Sequence, residues 1–177
     1  VAVQLIDTPP ITADFLEPYM QGMIRGADTA LLLVDLGADD GIEQCQALLD
    51  RLNATKTRLA ARSCLDEEDV GLSYTQTFLV PNKIDDPDAE VRLEMLHELL
   101  PLDFRELLIS AEAGQGLDAL KRAIYESLDV VRVYTKTPTA KEPDMTRPFT
   151  LRRGSTLADL AGLIHKDFVD KLKSARI

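Results

Sequence analysis

The sequence has 177 residues, of which 45% are hydrophobic and 28% charged, and a formal net charge of -10. A chain of this length and composition can bury one good core and a small second domain. No apolar run is long enough to span a bilayer and no leader precedes a cleavage site, so we expect a cytoplasmic protein without membrane contact. The chain begins at Val1 inside an apolar run, and we expect it to be a piece of a longer protein.

Charge divides the chain into two parts. Residues 1–128 hold 24 acidic against 10 basic side chains, a balance of -14, whereas residues 129–177 hold 6 against 10, a balance of +4. Such a split favours two domains with different partners. We predict a first domain over 1–128 and a second over 129–177, and we expect the second to be incomplete because so short a unit rarely sustains its own core. Cys45 and Cys64 lack metal-ligand spacing, and we interpret both as reduced and structural.

In the first part, short apolar runs alternate with amphipathic stretches. The apolar runs lie at residues 1–6, 30–36, 77–80 and 106–109. The amphipathic stretches lie at residues 14–24, 41–59, 89–100 and 117–128. Runs of this kind are typical of strands buried on both faces of a parallel sheet, and the alternation predicts an α/β fold, part of a doubly wound sheet. Ligands of such sheets bind at the carboxyl ends of the strands. Residues 61–74, with an acidic run at 66–69, are interpreted as a surface excursion.

The pattern changes after residue 128. Residues 130–135 and 148–151 alternate as strands around a polar segment that contains prolines. Thr156 and Asp159 have the spacing of a capping box at the start of a helix over residues 157–168. Two strands followed by a helix predict a small α+β domain.

The strongest motif is Asn82-Lys83-Ile84-Asp85, directly after an apolar run. The Asp85 carboxylate can accept two parallel hydrogen bonds, from N1–H and from the 2-amino group of guanine, and adenine offers neither donor. Asn82 can join neighbouring loops by hydrogen bonds, and the Lys83 stem can lie against the flat face of the base. The motif therefore indicates a guanine site.

Two further strand ends support this interpretation. Ser110 and Ala111 follow a later apolar run, and a small side chain at Ala111 would let its backbone N–H approach the guanine O6. Asp7 follows the first run; alone it would be interpreted as a turn or cap residue, but in order with the other two motifs it predicts a magnesium ligand. Asp35 also ends a strand but matches no motif position, and we interpret it as structural.

The three motifs in this order resemble the last three nucleotide motifs of a translation-factor-class GTPase. Residues 131–177, which include VRVYTK and PFTLRRGSTLADL, resemble a TGS domain, a ubiquitin-like β-grasp module. The combination resembles the Obg-related, developmentally regulated GTP-binding proteins and covers nearly the whole chain. The resemblance implies part of a P-loop GTPase sheet, GTP or GDP as ligand, and Mg²⁺ reached by Asp7 through a water. It also implies a set of guanine contacts, which are Asn82, Lys83, Asp85, Ser110 and Ala111.

The sequence departs from this family in two ways. No G-x-x-x-x-G-K-[ST] motif occurs in the 177 residues, so this chain alone is not expected to hydrolyse GTP. The implied switch region is Thr8, Pro9, Pro10 and Ile11. Pro10 replaces a glycine whose backbone N–H would bind the γ-phosphate, and Ile11 stands where many GTPases place a water-orienting glutamine. We expect hydrolysis in the full-length protein to be slow or to depend on a partner.

Basic residues concentrate in the second part of the chain. They are Arg152, Arg153, Lys166, Lys171, Lys173 and Arg176. An ordinary solvated face explains them, and so does contact with RNA, because cations gather on phosphates and release their counterions. The family's link to ribosomes favours the second explanation. His97 and His165 have no nucleophile or second ligand at useful spacing and are interpreted as packing or surface residues.

Three functions remain open at this point. The leading hypothesis is a regulatory GTPase that acts on the ribosome or in translation. The alternative is a non-switching nucleotide-binding or RNA-binding module that acts through its second domain, and Pro10 motivates it. A third possibility, an adenine-specific P-loop ATPase, is disfavoured by Asp85. The sequence leaves the oligomeric state open.

Overall fold

The computed structural model describes residues 3–12, 14–65, 69–137 and 139–171. Residues Gln4–Ser127 form one compact unit, and the described residues from Leu128 onward belong to a second. In chain order the elements are α1 (Pro18–Gly26), β1 (Ala30–Asp35), α2 (Gly41–Asn53), β2 (Thr57–Ala60), β3 (Cys64–Leu65), β4 (Ser73–Asn82), α3 (Ala89–Leu99), β5 (Arg105–Glu106), α4 (Leu117–Ser127), β6 (Val130–Val133), β7 (Phe149–Arg152), α5 (Leu157–Ile164) and α6 (Lys166–Lys171).

Strand β4 is the centre of the sheet in the first unit. Strands β1, β2 and β5 pair with it in parallel, and the short β3 pairs antiparallel. The β1 register runs from Ala30 opposite Thr77 to Asp35 opposite Asn82. Asp35 and Asn82 therefore end side by side at the carboxyl edge of the sheet, where the chain leaves both strands.

The apolar part of strand β4, Phe78 to Val80, is buried on both faces of the sheet. Leu79 belongs to a buried cluster with residues of β1, α2 and α3, among them Leu96. Phe78 and Val80 belong to another cluster, with Ala123 of α4. Successive side chains of a strand point to opposite faces, so this division is what a two-sided parallel sheet requires. The predicted α/β fold with a parallel sheet is confirmed.

The predicted strand at residues 1–6 is wrong for residues 3–6, whereas residues 1 and 2 lie outside the described part of the chain. Residues 3–6 have no strand assignment, and Leu5 and Ile6 are 74% and 57% exposed. A strand needs a hydrogen-bonded neighbour to satisfy its backbone, and no described strand pairs with this segment. Further along, Ile11 packs against a separate apolar cluster of Leu16 and Met20 with Leu52.

The predicted helix at residues 41–59 is too long. Helix α2 ends at Asn53, and β2 begins at Thr57, whose register partner is Ser73 of β4. The pairing with β4 overrides the helical pattern of the last residues, which periodicity within one segment cannot reveal. Ser73 itself falls in the stretch predicted as a surface excursion and instead begins β4. In the acidic run, Asp69 lies 2.9 Å from Lys56, and residues 66–68 lie outside the described residues.

Other boundaries shift by a few residues. Helix α1 begins at Pro18, a residue suited to the first helical turn, rather than at residue 14. The predicted strand at 106–109 is assigned only over Arg105–Glu106. The chain nevertheless continues beside β4, because the N–H groups of Leu107 and Ile109 donate to the carbonyls of Leu79 and Pro81.

The second unit contains an antiparallel pair and two helices. Strands β6 and β7 pair from Val130 opposite Arg152 to Val133 opposite Phe149. The predicted capping box is present at Thr156, whose hydroxyl accepts from the Asp159 N–H.

The predicted helix at 157–168 is broken at His165, which has extended backbone and accepts at Nδ1 from the Asp167 N–H. His165 therefore ends α5 and caps α6. Among the described residues of the second unit only Ala161 is both apolar and buried, so the core found there is small. None of the described helices has the length and apolarity needed to cross a membrane.

Candidate functional site

The Asn82 loop leaves the carboxyl end of β4 through a tight turn. Lys83 has a φ of 66°, in the left-handed region that non-glycine residues rarely adopt. The surrounding backbone holds this conformation: the Asn82 carbonyl accepts from the Leu36 N–H, the Ile84 N–H donates to Ile109, and the Asp86 N–H donates to Lys83. Strained backbone held in this way is common at ligand sites.

The Asn82 side chain joins this loop to the Ser110 loop. The Ala111 N–H donates to Asn82 Oδ1 at 3.0 Å. The Ser110 side chain is fully buried, and its hydroxyl accepts from the Ala113 N–H at 3.0 Å. The two predicted guanine motifs are therefore brought together, as their strand-end positions implied. The Ala111 N–H is already paired, so a guanine O6 would share or replace the bond to Asn82.

Asp85 presents its carboxylate to solvent. It is exposed, and in the described part of the chain its side chain makes no hydrogen bond or salt bridge. A fixed loop with an exposed, unpaired carboxylate can accept the two donors on the edge of a guanine base.

Asp35 was interpreted from the sequence as structural, and in the structure its carboxylate contacts a residue of the predicted guanine motif. Lys83 Nζ donates to Asp35 Oδ2 at 2.7 Å, and the Gly37 N–H donates to Oδ1 at 2.8 Å. Burial raises the pKa of Asp35, but these two hydrogen bonds and the charges of Lys83 and Arg92 together outweigh burial, so its pKa lies below the usual value. The hydrogen bond to Asp35 raises the pKa of Lys83. Both groups are therefore charged at neutral pH.

Arg92 of α3 connects the loop after β1 to the loop after β4. It was not singled out from the sequence. One guanidinium nitrogen donates to the Leu36 carbonyl at 2.8 Å and to Asp86 Oδ1 at 2.9 Å. The other donates to Asp39 Oδ1 at 2.6 Å. The Asp39 bond is the largest of the effects that raise the pKa of Arg92. The guanidinium of Arg92 thus binds residues of the loop after β1 and of the loop after β4.

The switch region is not part of this arrangement in any contact that the structure describes. Asp7 is exposed, lies outside any helix or strand, and makes no described salt bridge or hydrogen bond. Pro9 and Pro10 are exposed, Thr8 is half-buried, and Ile11 packs into the apolar cluster described above.

Magnesium is typically held by one or two carboxylates together with phosphates and waters. Within the described residues no group of three or more His, Cys, Asp or Glu side chains is placed to hold a metal. The described residues thus form no metal site on their own, and the role of Asp7 stays a prediction.

The predicted basic face is only partly described. Arg153 pairs with Asp129 at 2.9 Å, and Lys166 is exposed at the start of α6. Arg152 also has an interaction partner, so its charge is not free. The Lys171 side chain, Lys173 and Arg176 lie outside the described residues.

A cleft of about 450 Å³ contains none of the predicted guanine residues. It is lined by residues of the segment after α3 together with His97 and Glu106, whose side chains lie 2.7 Å apart. Because these two polar groups are paired with each other, we give the loops at the carboxyl edge of the sheet precedence as the candidate site. His97 and His165 are both exposed, as predicted for surface residues.

Comparison with known proteins gives one family match and several relatives. Residues 131–177 match the family model of the TGS domain. Ribosome-interacting GTPase 1 of Saccharomyces cerevisiae is 28% identical over 185 aligned residues, which take in 100% of this chain and 47% of that protein. An uncharacterized GTP-binding protein of Methanocaldococcus jannaschii is 36% identical over 104 residues, 59% of this chain and 26% of that protein.

A third relative has a name that also refers to GTP. The developmentally-regulated GTP-binding protein 2 homolog of Dictyostelium discoideum is 33% identical over 101 residues, 57% of this chain and 26% of that protein. The chain spans about half or less of the length of these relatives. The predicted TGS domain and the predicted kinship with GTP-binding proteins are confirmed.

Proposed function

From a chain that carries a TGS domain and is similar to GTP-binding proteins, we propose that the full-length protein is a cytoplasmic regulatory GTPase. In this proposal residues 1–128 belong to the nucleotide-binding domain and residues 129–177 to the accessory domain. The observation that carries it is the 3.0 Å bond from the Ala111 N–H to Asn82 Oδ1, which joins the two loops that carry the predicted guanine residues.

The chemistry of the site supports guanine over adenine. Asp85 is exposed on a loop whose backbone is held at several points, so its carboxylate can meet the N1–H and 2-amino donors of guanine. Adenine presents an acceptor at N1, which a carboxylate repels. Ser110 and Asn82 contribute by shaping the loops rather than by charge.

The test compares nucleotides on the full-length protein. GDP and GTP should displace a fluorescent guanine nucleotide, and ADP and ATP should not. Replacing Asp85 by Asn should weaken GDP binding by about 10- to 100-fold, the loss expected for charge-assisted hydrogen bonds. The same variant should gain affinity for xanthine nucleotides, because the 2-oxo group of xanthine accepts from the new amide.

Asp103→Asn is the matched control, because Asp103 is also exposed in the first unit but lies in the segment after α3. It should bind GDP like the unaltered protein. The proposal would be overturned if ATP competed as well as GTP. It would also be overturned if the Asp85→Asn variant gained no affinity for xanthine nucleotides.

The switch and hydrolysis steps of the proposal depend on the segment from Asp7 to Ile11. Magnesium would be held by Asp7 through a water together with the nucleotide's phosphates, and it would neutralise phosphate charge. Pro10 has no N–H to donate to a γ-phosphate, and Ile11 packs into an apolar cluster instead of orienting water. We therefore propose that hydrolysis by the full-length protein is slow or requires a group from a partner.

Pro10 also favours a second candidate, a non-switching module that binds nucleotide without distinguishing GTP from GDP. Measuring both affinities on the full-length protein separates the two functions. A marked preference for either nucleotide supports the switch, whereas equal affinities support the module.

The partner that we propose for the second unit is the ribosome or RNA. The name of the yeast relative refers to ribosome interaction for that protein. In this chain the support is the net positive charge of residues 129–177. Cosedimentation with ribosomes should weaken as salt rises, because phosphate contacts release counterions.

A variant with Arg152, Arg153 and Lys166 changed to Gln tests that partner. It should bind ribosomes more weakly and lose part of the salt dependence. Unchanged binding would exclude these three side chains as the contact.

A further inference from the structure

We propose that Asp35 and Gly37, on the loop after β1, are positioning residues that hold the Lys83 side chain for nucleotide binding. This inference rests on the proposed guanine site, since Lys83 is the residue of that site which they contact. It gives a role to an acid that matches no guanine motif and to a glycine that no turn requires.

The Asp35 carboxylate is held at both of its oxygens. Oδ1 accepts from the Gly37 N–H at 2.8 Å, and Oδ2 accepts from Lys83 Nζ at 2.7 Å. The first bond comes from backbone only two residues away, so it orients the carboxylate independently of Lys83. The second bond then selects one orientation of the long lysine side chain.

Lys83 is fixed at its other end by the backbone. Its φ of 66° sets the direction in which the side chain leaves the turn, and its carbonyl accepts from the Asp86 N–H at 2.9 Å. With the backbone and the amine both held, the four-carbon stem has few conformations left. A stem held in this way can present a flat apolar surface to a base, with a smaller loss of side-chain entropy when the base binds.

Gly37 leaves the space through which the lysine side chain passes. A Cβ at Gly37 would lie 2.7 Å from Lys83 Cδ and 3.2 Å from Asp35 Oδ1. Its φ is not in the left-handed region, so a side chain there meets no backbone strain. The atom that must move is the far end of a flexible side chain, and the fold is therefore expected to tolerate alanine while the lysine does not stay in place.

The exposure of the pair separates positioning from stabilisation. The side chains of Lys83 and Asp35 are 53% and 41% exposed. Salt bridges at such exposed positions contribute little to folding stability, because water screens them and ordering two side chains costs entropy. Loss of this pair should consequently appear in ligand affinity and barely in unfolding.

The experiment measures GDP affinity and thermal unfolding of the full-length protein for Gly37→Ala, Asp35→Asn and the control Asp40→Asn. Asp40 lies in the same loop, is exposed and accepts from Gln44 of α2 instead of from Lys83. We expect the first two variants to weaken GDP by about 5-fold or more, within the usual range of coupling between contacting residues. The control should bind like the unaltered protein, and Gly37→Ala should leave the melting temperature nearly unchanged.

A lysine replacement distinguishes positioning from a general structural effect. In a Lys83→Met background, Gly37→Ala and Asp35→Asn should cause little further loss of GDP affinity, because the group they position is gone. Fully additive losses would overturn the inference, as would wild-type affinity in the single Gly37→Ala variant. If the unaltered protein does not prefer guanine nucleotides, the proposed function is wrong, and the inference that rests on it is wrong as well.

Discussion

Two glycines in the loop that follows Ser110 provide a matched test of the packing behind the candidate site. Gly114 and Gly116 have nearly the same backbone angle, with φ of 74° and 73°. A Cβ on Gly114 would meet nothing within 4 Å, whereas one on Gly116 would lie 2.1 Å from the Leu108 carbonyl oxygen and 3.2 Å from Ile109 Cα. Replacing each by alanine separates backbone strain from steric overlap.

The magnitudes follow from these distances. Alanine in the left-handed region costs about 1–2 kcal/mol. Alanine also lowers the conformational entropy of the unfolded chain, which offsets about 0.4–1 kcal/mol of this cost. Gly114→Ala should therefore destabilise the first unit by roughly 0–1.6 kcal/mol. Gly116→Ala adds overpacking against backbone atoms that cannot rotate away, typically about 1–3 kcal/mol more.

Urea unfolding followed by far-ultraviolet circular dichroism measures the difference. Gly116→Ala should lower the unfolding midpoint clearly more than Gly114→Ala, with similar slopes for both variants. Equal destabilisation by the two replacements would refute the reasoning, because it would show that backbone strain alone matters in this loop.

Further outcomes are expected for the core, for a helix cap and for the two cysteines. Leu96→Ala, in a fully buried position of α3, should cost about 2–5 kcal/mol of unfolding free energy, whereas Val91→Ala, 59% exposed on the same helix, should stay within about 0.5 kcal/mol. Thr156→Ala should lower the stability of the second unit by about 1 kcal/mol, measured by thermal unfolding, because it removes the helix cap.

Iodoacetamide should alkylate the exposed Cys64 in the native protein and Cys45 only after unfolding, since burial raises the pKa of Cys45 to about 11. The stability that a neutral Cys45 thiol contributes should be complete below its usual pKa of about 8.5 and should decrease as pH rises towards 11. Mass spectrometry of the labelled peptides checks the first statement, and a comparison of unfolding midpoints with a Cys45→Ala variant across this pH range checks the second.

Elements with a strong local signal were predicted well. Helix α4 was evident because its apolar positions repeat with the helical period. The middle of β4 was evident as a continuous apolar run at residues 77–80, whereas the strand extends over Ser73–Asn82. The capping box at Thr156 was evident because all of its partners lie within one turn. Asn82 was predicted to join neighbouring loops and the Ala111 N–H to approach a guanine base, but their hydrogen bond to each other was seen only in the structure.

Several errors concern partners that lie far away in sequence. Residues 57–59 follow a helical pattern but pair with β4, and residues 3–6 have a strand's composition but no described strand beside them. The ion pair of Asp35 with Lys83 joins residues 48 positions apart, and the sequence around neither residue indicates the other as its partner.

Residue chemistry and order along the chain were thus enough to indicate an α/β sheet and a guanine motif, because each depends on short repeats or on residue types at fixed spacing, whereas the TGS domain was indicated by resemblance. Which side chains hold one another could be seen only in the folded chain. Lys83 meets Asp35, and Arg92 joins the loops after β1 and β4, because the register of two strands places Asp35 opposite Asn82. That register is a property of the assembled sheet and its two-sided packing, which no single segment contains.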